Sequence, residues 1–470
     1  MSRTKELVKN TLIITVGKFS TQIVSFFLLP LYTAKLTTEE YGSYDLVATI
    51  SMFIVPIITM LLEESMFRFL IDAKSLEDKR KIISHTFILV MINSILFIII
   101  MIFSYYILKI ELSKYILIYS LGSALIALTN ALTRGEGKIA LYSLSNFLLS
   151  ILTIFLSIFF IVYLKMGFKA LILSNVLSNV LVSLIVLKKM NLFSYLSLKQ
   201  FEICRIKKML KYSIPLVPNT ICWAIINVSD RLFIVNFIGA GANGIYSISN
   251  KFPNIINNFY SFFNTAWRES SARIINDGTY KNEYPKIFSS IQKLMFSTTI
   301  IITAFMPFVF KVLVNEKYIS GLMYIPVLTI AVYYSSLSGY FGGIFTAFKD
   351  TKIIGVTSFL AAIINLVINI ILIKKIGVFA AALSTLISSL FLYYIRKRKV
   401  KNIVDLKFNY KKELLYFIIF VMITLLFFSN NTLIKLLNTT LSLIISLIIC
   451  NKEISIFIKK ISEIKRQKKY

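Results

Sequence analysis

Fourteen stretches of this sequence run for about twenty residues each with almost no charged side chain. They lie near 7–30, 44–66, 83–107, 114–133, 141–163, 169–190, 212–238, 245–266, 288–312, 322–347, 353–373, 377–395, 413–429 and 432–450. A helix needs about 20 residues to cross the hydrocarbon core of a bilayer. The pattern therefore predicts an all-α polytopic membrane protein of about 14 transmembrane helices. Composition closes the alternative: of 470 residues, 57% are hydrophobic and only 16% charged. A water-soluble globule has too little interior to hide that much apolar side chain.

The formal charge is +30, which in a soluble chain would point to nucleic acid. Here the basic residues sit between apolar runs, where they set membrane orientation, so no nucleic-acid partner is expected. With the N-terminus placed inside, the loops divide the basic residues 39 to 10 in favour of the inner side, with Lys18, Arg231 and Lys251 left inside spans. A wrong span count would reverse that asymmetry partway along. Both termini are thus expected in the cytoplasm, with the basic tail 451–470 anchored on anionic lipid.

Other chemistries are excluded more briefly. Three scattered cysteines (Cys204, Cys222, Cys450) and the single His85 give no disulfide framework, metal site or cofactor. No phosphate-binding glycine loop is present, and no loop is long enough for a nucleotide-binding domain, so ATP-driven transport by this chain alone is not expected. The first residues lead into an apolar run without a cleavage signal and read as a retained span.

An ungapped repeat sets Leu7–Tyr44 beside Met209–Tyr246, with Tyr41-Gly42-Ser43-Tyr44 meeting Asn243-Gly244-Ile245-Tyr246. Six spans separate the two starts, so the halves share one orientation and an axis along the membrane normal relates them. The expected organisation is an N-lobe over 1–208 (spans 1–6 and the following cytoplasmic loop), a C-lobe over 209–400 (spans 7–12), and two further helices with a basic tail over 401–470.

Hydrophilic residues inside spans carry the functional signal, because a polar group in hydrocarbon is costly unless it faces protein or water. Read as one helix, the eighth span places Asn250, Lys251, Asn254, Asn257, Asn258, Ser261, Asn264, Thr265 and Arg268 in an arc of about 140°. The stripe runs for about 27 Å, close to a full crossing. Nine polar positions including two cations exceed what a helix–helix interface glued by amides would hold. The stripe therefore predicts a water-filled cavity. Narrower stripes carry Thr11, Thr15, Lys18, Gln22 and Ser25 on the first span, and Asp45, Thr49, Thr59 and Glu63 on the second. On the seventh, Asn219, Asn227 and Asp230 share a side, with Arg231 adjacent. These four helices are expected to meet along one lumen.

The cations Lys18, Arg231 and Lys251, with Arg268, Arg68 and Arg134 near the inner ends, favour an anionic cargo, since arginine matches phosphate oxygens. Among the acids, Asp45, Glu63 and Asp230 are candidates for exchanging a coupling H⁺ or Na⁺. Pairing Asp230 with a cation on another helix is the competing account.

Several runs also resemble a known family. They are Glu40-Tyr41-Gly42-Ser43-Tyr44-Asp45-Leu46, Glu63-Glu64-Ser65-Met66-Phe67-Arg68-Phe69, Ser229-Asp230-Arg231-Leu232-Phe233-Ile234 and Ala266-Trp267-Arg268-Glu269-Ser270. They are similar to the Wzx-type (O-antigen/capsule) polysaccharide flippases of the multidrug/oligosaccharidyl-lipid/polysaccharide exporter superfamily. The resemblance is clear over spans 1–8. It implies two six-helix lobes in a V-shaped arrangement plus two C-terminal helices, alternating access, and a location in the cytoplasmic (inner) membrane. The implied cargo is an undecaprenyl-diphosphate-linked oligosaccharide repeat unit, moved from inner to outer leaflet with H⁺ or Na⁺ antiport. Membrane lipids, a glycan polymerase and its chain-length machinery are the implied partners. A cationic lumen is expected in the family; the several acids here depart from a purely cationic pore.

Rival classes differ in what they require. A multidrug or cation antiporter of the same superfamily needs lumen acids without excess cations. A flippase of lipid-linked peptidoglycan precursor would share the cationic groove. A membrane enzyme, such as a polymerase or glycosyltransferase, would need a sizeable outer loop or an Asp-x-Asp metal site, and the sequence has neither.

Overall fold

The computed structural model describes residues 26–192, 195, 202–404, 406 and 408–455. The structured elements are all helical. The expected spans recur as helices, apart from the first, most of which lies outside the described residues. Ten described helices are long and apolar enough to cross a membrane. The helices matching the seventh, eighth and thirteenth expected spans fall outside that set, because amides, charges or shortness dilute them.

The chain divides into two compact units, Met1–Gly244 and Ile245–Tyr470. In the first unit the helices are α1 (Leu29–Lys35), α2 (Thr38–Thr59), α3 (Leu62–Asp72), α4 (Leu76–Tyr106), α5 (Ser113–Gly135), α6 (Ile139–Ile158), α7 (Phe168–Lys189), α8 (Ile203–Ser213) and α9 (Val217–Phe237). The division falls within α10 (Ala240–Lys251). Helix α5 packs on α2, α3 and α7, and α9 packs on α2. Val47, Leu62, Met66, Ile82, Leu132 and Ile172 form the core between them.

Local chemistry sets these boundaries. A capping box starts α2: Thr37 Oγ1 accepts the Glu40 N–H at 3.1 Å, and Glu40 Oε2 accepts the Thr37 N–H at 2.9 Å. The expected second span does not run unbroken to residue 66. It stops at Met60 and Leu61, both left-handed at φ 51°, four residues beyond Pro56. Side chains satisfy the freed backbone groups: Asn93 of α4 donates to the Ile58 carbonyl at 3.0 Å, and Thr59 Oγ1 accepts the Leu61 N–H at 3.2 Å. The break turns α3 away with Glu63 and Glu64 in its first turn.

The second unit continues with α11 (Pro253–Asn276), α12 (Tyr280–Leu313), a 3-10 segment Glu316–Tyr324, α13 (Ile325–Ala347), α14 (Thr351–Ile376), α15 (Phe379–Lys401), α16 (Tyr410–Phe427) and α17 (Thr432–Ile449). Helix α13 packs on α11, α12 and α15; α14 packs on α15, and α12 on α17. Its core is aromatic. Trp267 stacks on Tyr340 with ring centroids 4.6 Å apart, and its indole N–H donates to the Tyr340 carbonyl at 2.9 Å. The Tyr340 hydroxyl donates to the Tyr284 carbonyl at 2.7 Å, and the Tyr284 hydroxyl to the Ser271 carbonyl at 2.8 Å. This ladder fixes α11 against α12 and α13.

Large apolar side chains lie exposed along single helices, as Leu96, Ile99, Ile100 and Phe103 do on α4, and Ile370 and Ile371 on α14. Water would penalise such faces and acyl chains accept them. The protein is a multi-pass membrane protein.

Candidate functional site

Hydrophilic side chains gather in three places. In the first unit, Asp45 on α2 and Arg231 on α9 form an ion pair, Nε to Oδ2 at 2.8 Å, with side chains 13% and 11% exposed. Arg231 also donates through Nη1 to the Asn227 carbonyl one turn earlier, at 3.0 Å. Two candidates read separately in the sequence, a phosphate-binding cation and an ion-coupling acid, are therefore engaged with each other. A charge-assisted contact out of water is strong, and each partner compensates the other's desolvation. Asp230 is buried beside this pair, while Asn227 is exposed. Asn219 falls in the first turn of α9, its side chain outside the described residues. Glu63 is buried at the head of α3, its Oε2 without a hydrogen-bond partner among the described residues. Lys18 and Gln22 lie outside the described residues.

A second cluster stands at the expected cytoplasmic ends of the first unit. Arg68 pairs with Asp72 at 2.7 Å, Glu136 with Lys79 at 3.2 Å, and Arg134 sits 4.3 Å over the Phe67 ring. Lys81 binds Glu202 at 2.7 Å, Arg205 binds Asp78 at 2.7 Å, and His85 Nε2 accepts the Glu202 N–H at 2.8 Å. The Lys81 hydrogen bond holds the Glu202 carboxyl below the usual glutamate range. These groups clasp α8 to α4, a role the sequence did not disclose.

The third place is the eighth span. Expected as one helix, it is interrupted at Phe252 between α10 and α11. Pro253 offers no N–H to the Ser249 carbonyl, so one rung of the ladder is missing. Phe252 itself keeps helical dihedrals (φ −77°, ψ −49°), so the stripe holds its phase across the kink. Asn250 and half-buried Lys251 close α10; the Asn250 amide donates to the Tyr246 carbonyl at 3.0 Å.

Helix α11 has a buried apolar face and an exposed polar one, with Phe259 exposed outside both. Ile256, Tyr260 and Trp267 are buried. On the opposite face Asn254, Asn257, Ser261, Thr265 and Arg268 are exposed, with Asn258 and Asn264 half-buried beside them. Their hydrogen bonds run along the helix: Asn257 to Asn254 at 3.2 Å, Ser261 to the Asn258 carbonyl at 2.8 Å, Thr265 to the Ser261 carbonyl at 2.9 Å. Much amide capacity stays directed outward. Such a face can coordinate hydroxyl-rich or anionic ligands through water or directly.

Arg396 falls just beyond the expected span 377–395, yet it is 2% exposed inside the second unit. Neutral acceptors hold it: Thr357 Oγ1 at 3.0 Å, Ser358 Oγ at 2.9 Å, and the carbonyls of Ser338 and Ile354 at 3.2 and 3.3 Å. It joins α13, α14 and α15. The continuation of α15 past the apolar run hid this placement.

Ten membrane-length helices among the described residues, a mostly buried charge pair in one unit and an exposed amide face in the other define a polytopic helical membrane protein. The chain belongs to the polysaccharide biosynthesis protein family, whose sequence pattern matches residues 7–267. That range coincides with the first eight spans, where the resemblance was read. Comparison with curated protein sequences returns no match. Among solved structures, the lipid II flippase MurJ in an inward closed conformation shares the fold with TM-score 0.72 and 17% identity, over 96% of this chain and 99% of that one. An inward-facing multidrug resistance MATE family transporter of the MOP superfamily gives 0.68 and 14%, over 81% and 95%. A MOP superfamily transporter from Pyrococcus furiosus, described as having a binding pocket of reverse polarity, gives 0.56 and 15%, over 84% and 95%. At these identities the likeness is one of fold.

Proposed function

We propose that this protein is a flippase that carries an undecaprenyl-diphosphate-linked oligosaccharide from the inner to the outer leaflet of the cytoplasmic membrane, with both termini in the cytoplasm. The observation that carries the reading is the exposed amide and arginine face of α11, set on a helix that packs Ile256, Tyr260 and Trp267 into the unit. A diphosphate and its sugars cannot cross hydrocarbon unaided, and a hydrated polar track lowers that barrier. In this scheme Asn254, Asn257, Asn258, Ser261 and Asn264 solvate the sugars, while Lys251 and Arg268 meet the diphosphate.

The Asp45–Arg231 pair supplies a coupling element. A phosphate oxygen and the Asp45 carboxylate compete for the same guanidinium. Protonation of Asp45, or Na⁺ binding to it, releases Arg231 to the cargo; return of the carboxylate displaces the cargo. Glu63 and Asp230 are the other candidates for exchanging an ion, and Lys18 and Gln22 are further candidates for the track.

Surface-glycan display in cells lacking the native gene tests the reading. Lys251→Ala and Arg268→Ala are each expected to abolish display with the protein still present in the membrane. Arg231→Ala is paired with Asp45→Asn so that no lone buried carboxylate remains. Normal display in all three strains would overturn phosphate recognition by these residues.

A further inference from the structure

A cavity of about 420 Å³ opens between α12, α13, α15 and α16 of the second unit, sharing no residue with the α11 face. Six tyrosines line it: Tyr333, Tyr334, Tyr393, Tyr394, Tyr410 and Tyr416. At its mouth Tyr394, Tyr410 and Leu414 are exposed, continuous with exposed Leu415 and Ile418 on α16. The cavity thus opens onto an apolar outer face, where acyl chains are the solvent.

Its carboxylate is already satisfied. Glu413 takes two bonds from Lys397 Nζ, at 2.6 and 2.7 Å, and one from the Tyr393 hydroxyl at 3.0 Å. Lys397 in turn is buried, 4.7 Å from the Phe408 ring centre and 4.5 Å from that of Tyr410. Two further cations meet the lining tyrosines. Lys401 Nζ donates to the Tyr410 hydroxyl at 2.9 Å, and Lys412 lies 5.2 Å over the Tyr416 ring. Arg398, Lys399 and Lys411 are exposed nearby in sequence. A tyrosine-rich, largely apolar chamber whose lining rings meet lysines, with phenols at the boundary, matches a ligand with an apolar chain and an anionic head.

We propose that this cavity binds an anionic phospholipid of the surrounding membrane, an acyl chain among the tyrosine rings and the phosphate at Lys401 and Lys412. A water-soluble anion would leave the aromatic chamber and its apolar mouth unfilled. The site tethers the α15–α16 corner to the inner leaflet and is separate from the cargo track.

Photolabelling decides it. The full chain is reconstituted in phosphatidylcholine vesicles containing a trace of phosphatidylglycerol with a diazirine on its acyl chain, or of phosphatidylcholine with the same chain. After irradiation the adducts are mapped by peptide. The phosphatidylglycerol probe is expected to label peptides containing Tyr394 and Leu414–Phe417 at least about fivefold more than the phosphatidylcholine probe, with about a fivefold loss for each of Lys401→Gln and Lys412→Gln. The head-group comparison on the unaltered chain needs no variant to fold. Equal labelling by both probes, no adducts in these peptides, or displacement by a polyprenyl phosphate but not by unlabelled phosphatidylglycerol would each overturn the proposal.

Discussion

The first unit places its membrane charge in a pair; the second spreads neutral amides over an open face. Asp45 and Arg231 are mostly buried and 2.8 Å apart, whereas Asn254, Asn257 and Ser261 lie exposed and bond along their own helix. The difference follows from the energetics of desolvation. A full charge removed from water requires a compensating charge at contact distance or, as at Arg396, a set of hydrogen-bond acceptors around it. An amide costs far less, so a row of them can stand ready without being consumed. In the proposed scheme the first region switches between partners and the second solvates the cargo.

Breaking the pair should give the largest effect. Arg231→Ala leaves Asp45 buried and uncompensated, an expected loss of about 3–5 kcal/mol of stability. Thermal unfolding of the purified protein in detergent measures it. Adding Asp45→Asn should recover most of the loss; equal destabilisation in the single and double variants would show that the contact is not coupled.

Smaller effects come from the close approaches that hold each unit. A Cβ at Gly42 would strike the Ala240 carbonyl oxygen and lie 2.7 Å from Gly244 N. One at Gly343 would strike the Trp267 indole. Gly42→Ala and Gly343→Ala are each expected to cost about 1–3 kcal/mol by the same assay, with Gly42→Ala the larger because backbone cannot swing aside. By contrast Asn257→Leu, on the open face, should change stability by no more than about 0.5 kcal/mol while stopping glycan display. A large stability loss there would mean the face is packed.

The smallest effect concerns the clasp of α8 to α4. Because the Glu202 carboxyl is held below its ordinary range by Lys81, its contribution is present above the unfolded-state value and is lost as pH falls through the lower folded-state value. Amide exchange across Ile203–Ser213 should accelerate in that acid window, and Glu202→Gln should flatten the dependence.

Much of the architecture was legible because periodicity and length survive without tertiary information. The apolar runs marked the helices, and of the polar arc of the eighth span Asn254, Asn257, Ser261, Thr265 and Arg268 lie exposed on α11. Gly42 and Gly244, which the 202-residue offset aligns, lie against each other in the first unit, with Asn243 donating to the Gly42 carbonyl at 2.8 Å. What stayed hidden depends on side chains far apart in sequence. Nothing local to Asp45 names Arg231 as its partner, 186 positions away. The break at Met60–Leu61 carries no glycine to announce it, since Asn93 and Thr59 stabilise it from outside the local backbone. Arg396 and Lys397 read as loop cations because an apolar run ends before the helix does.

The polar face of α11 is expected to be wet within the bilayer. Single cysteines at Asn257, Ser261 and Thr265, compared with the buried positions Tyr260 and Ile256 in a chain whose Cys204, Cys222 and Cys450 are serine, test this through reaction with a charged, membrane-impermeant thiol reagent. Rapid modification is expected at the first three positions and little at the last two. Uniform protection of all five, or equal reaction at all five, would contradict it.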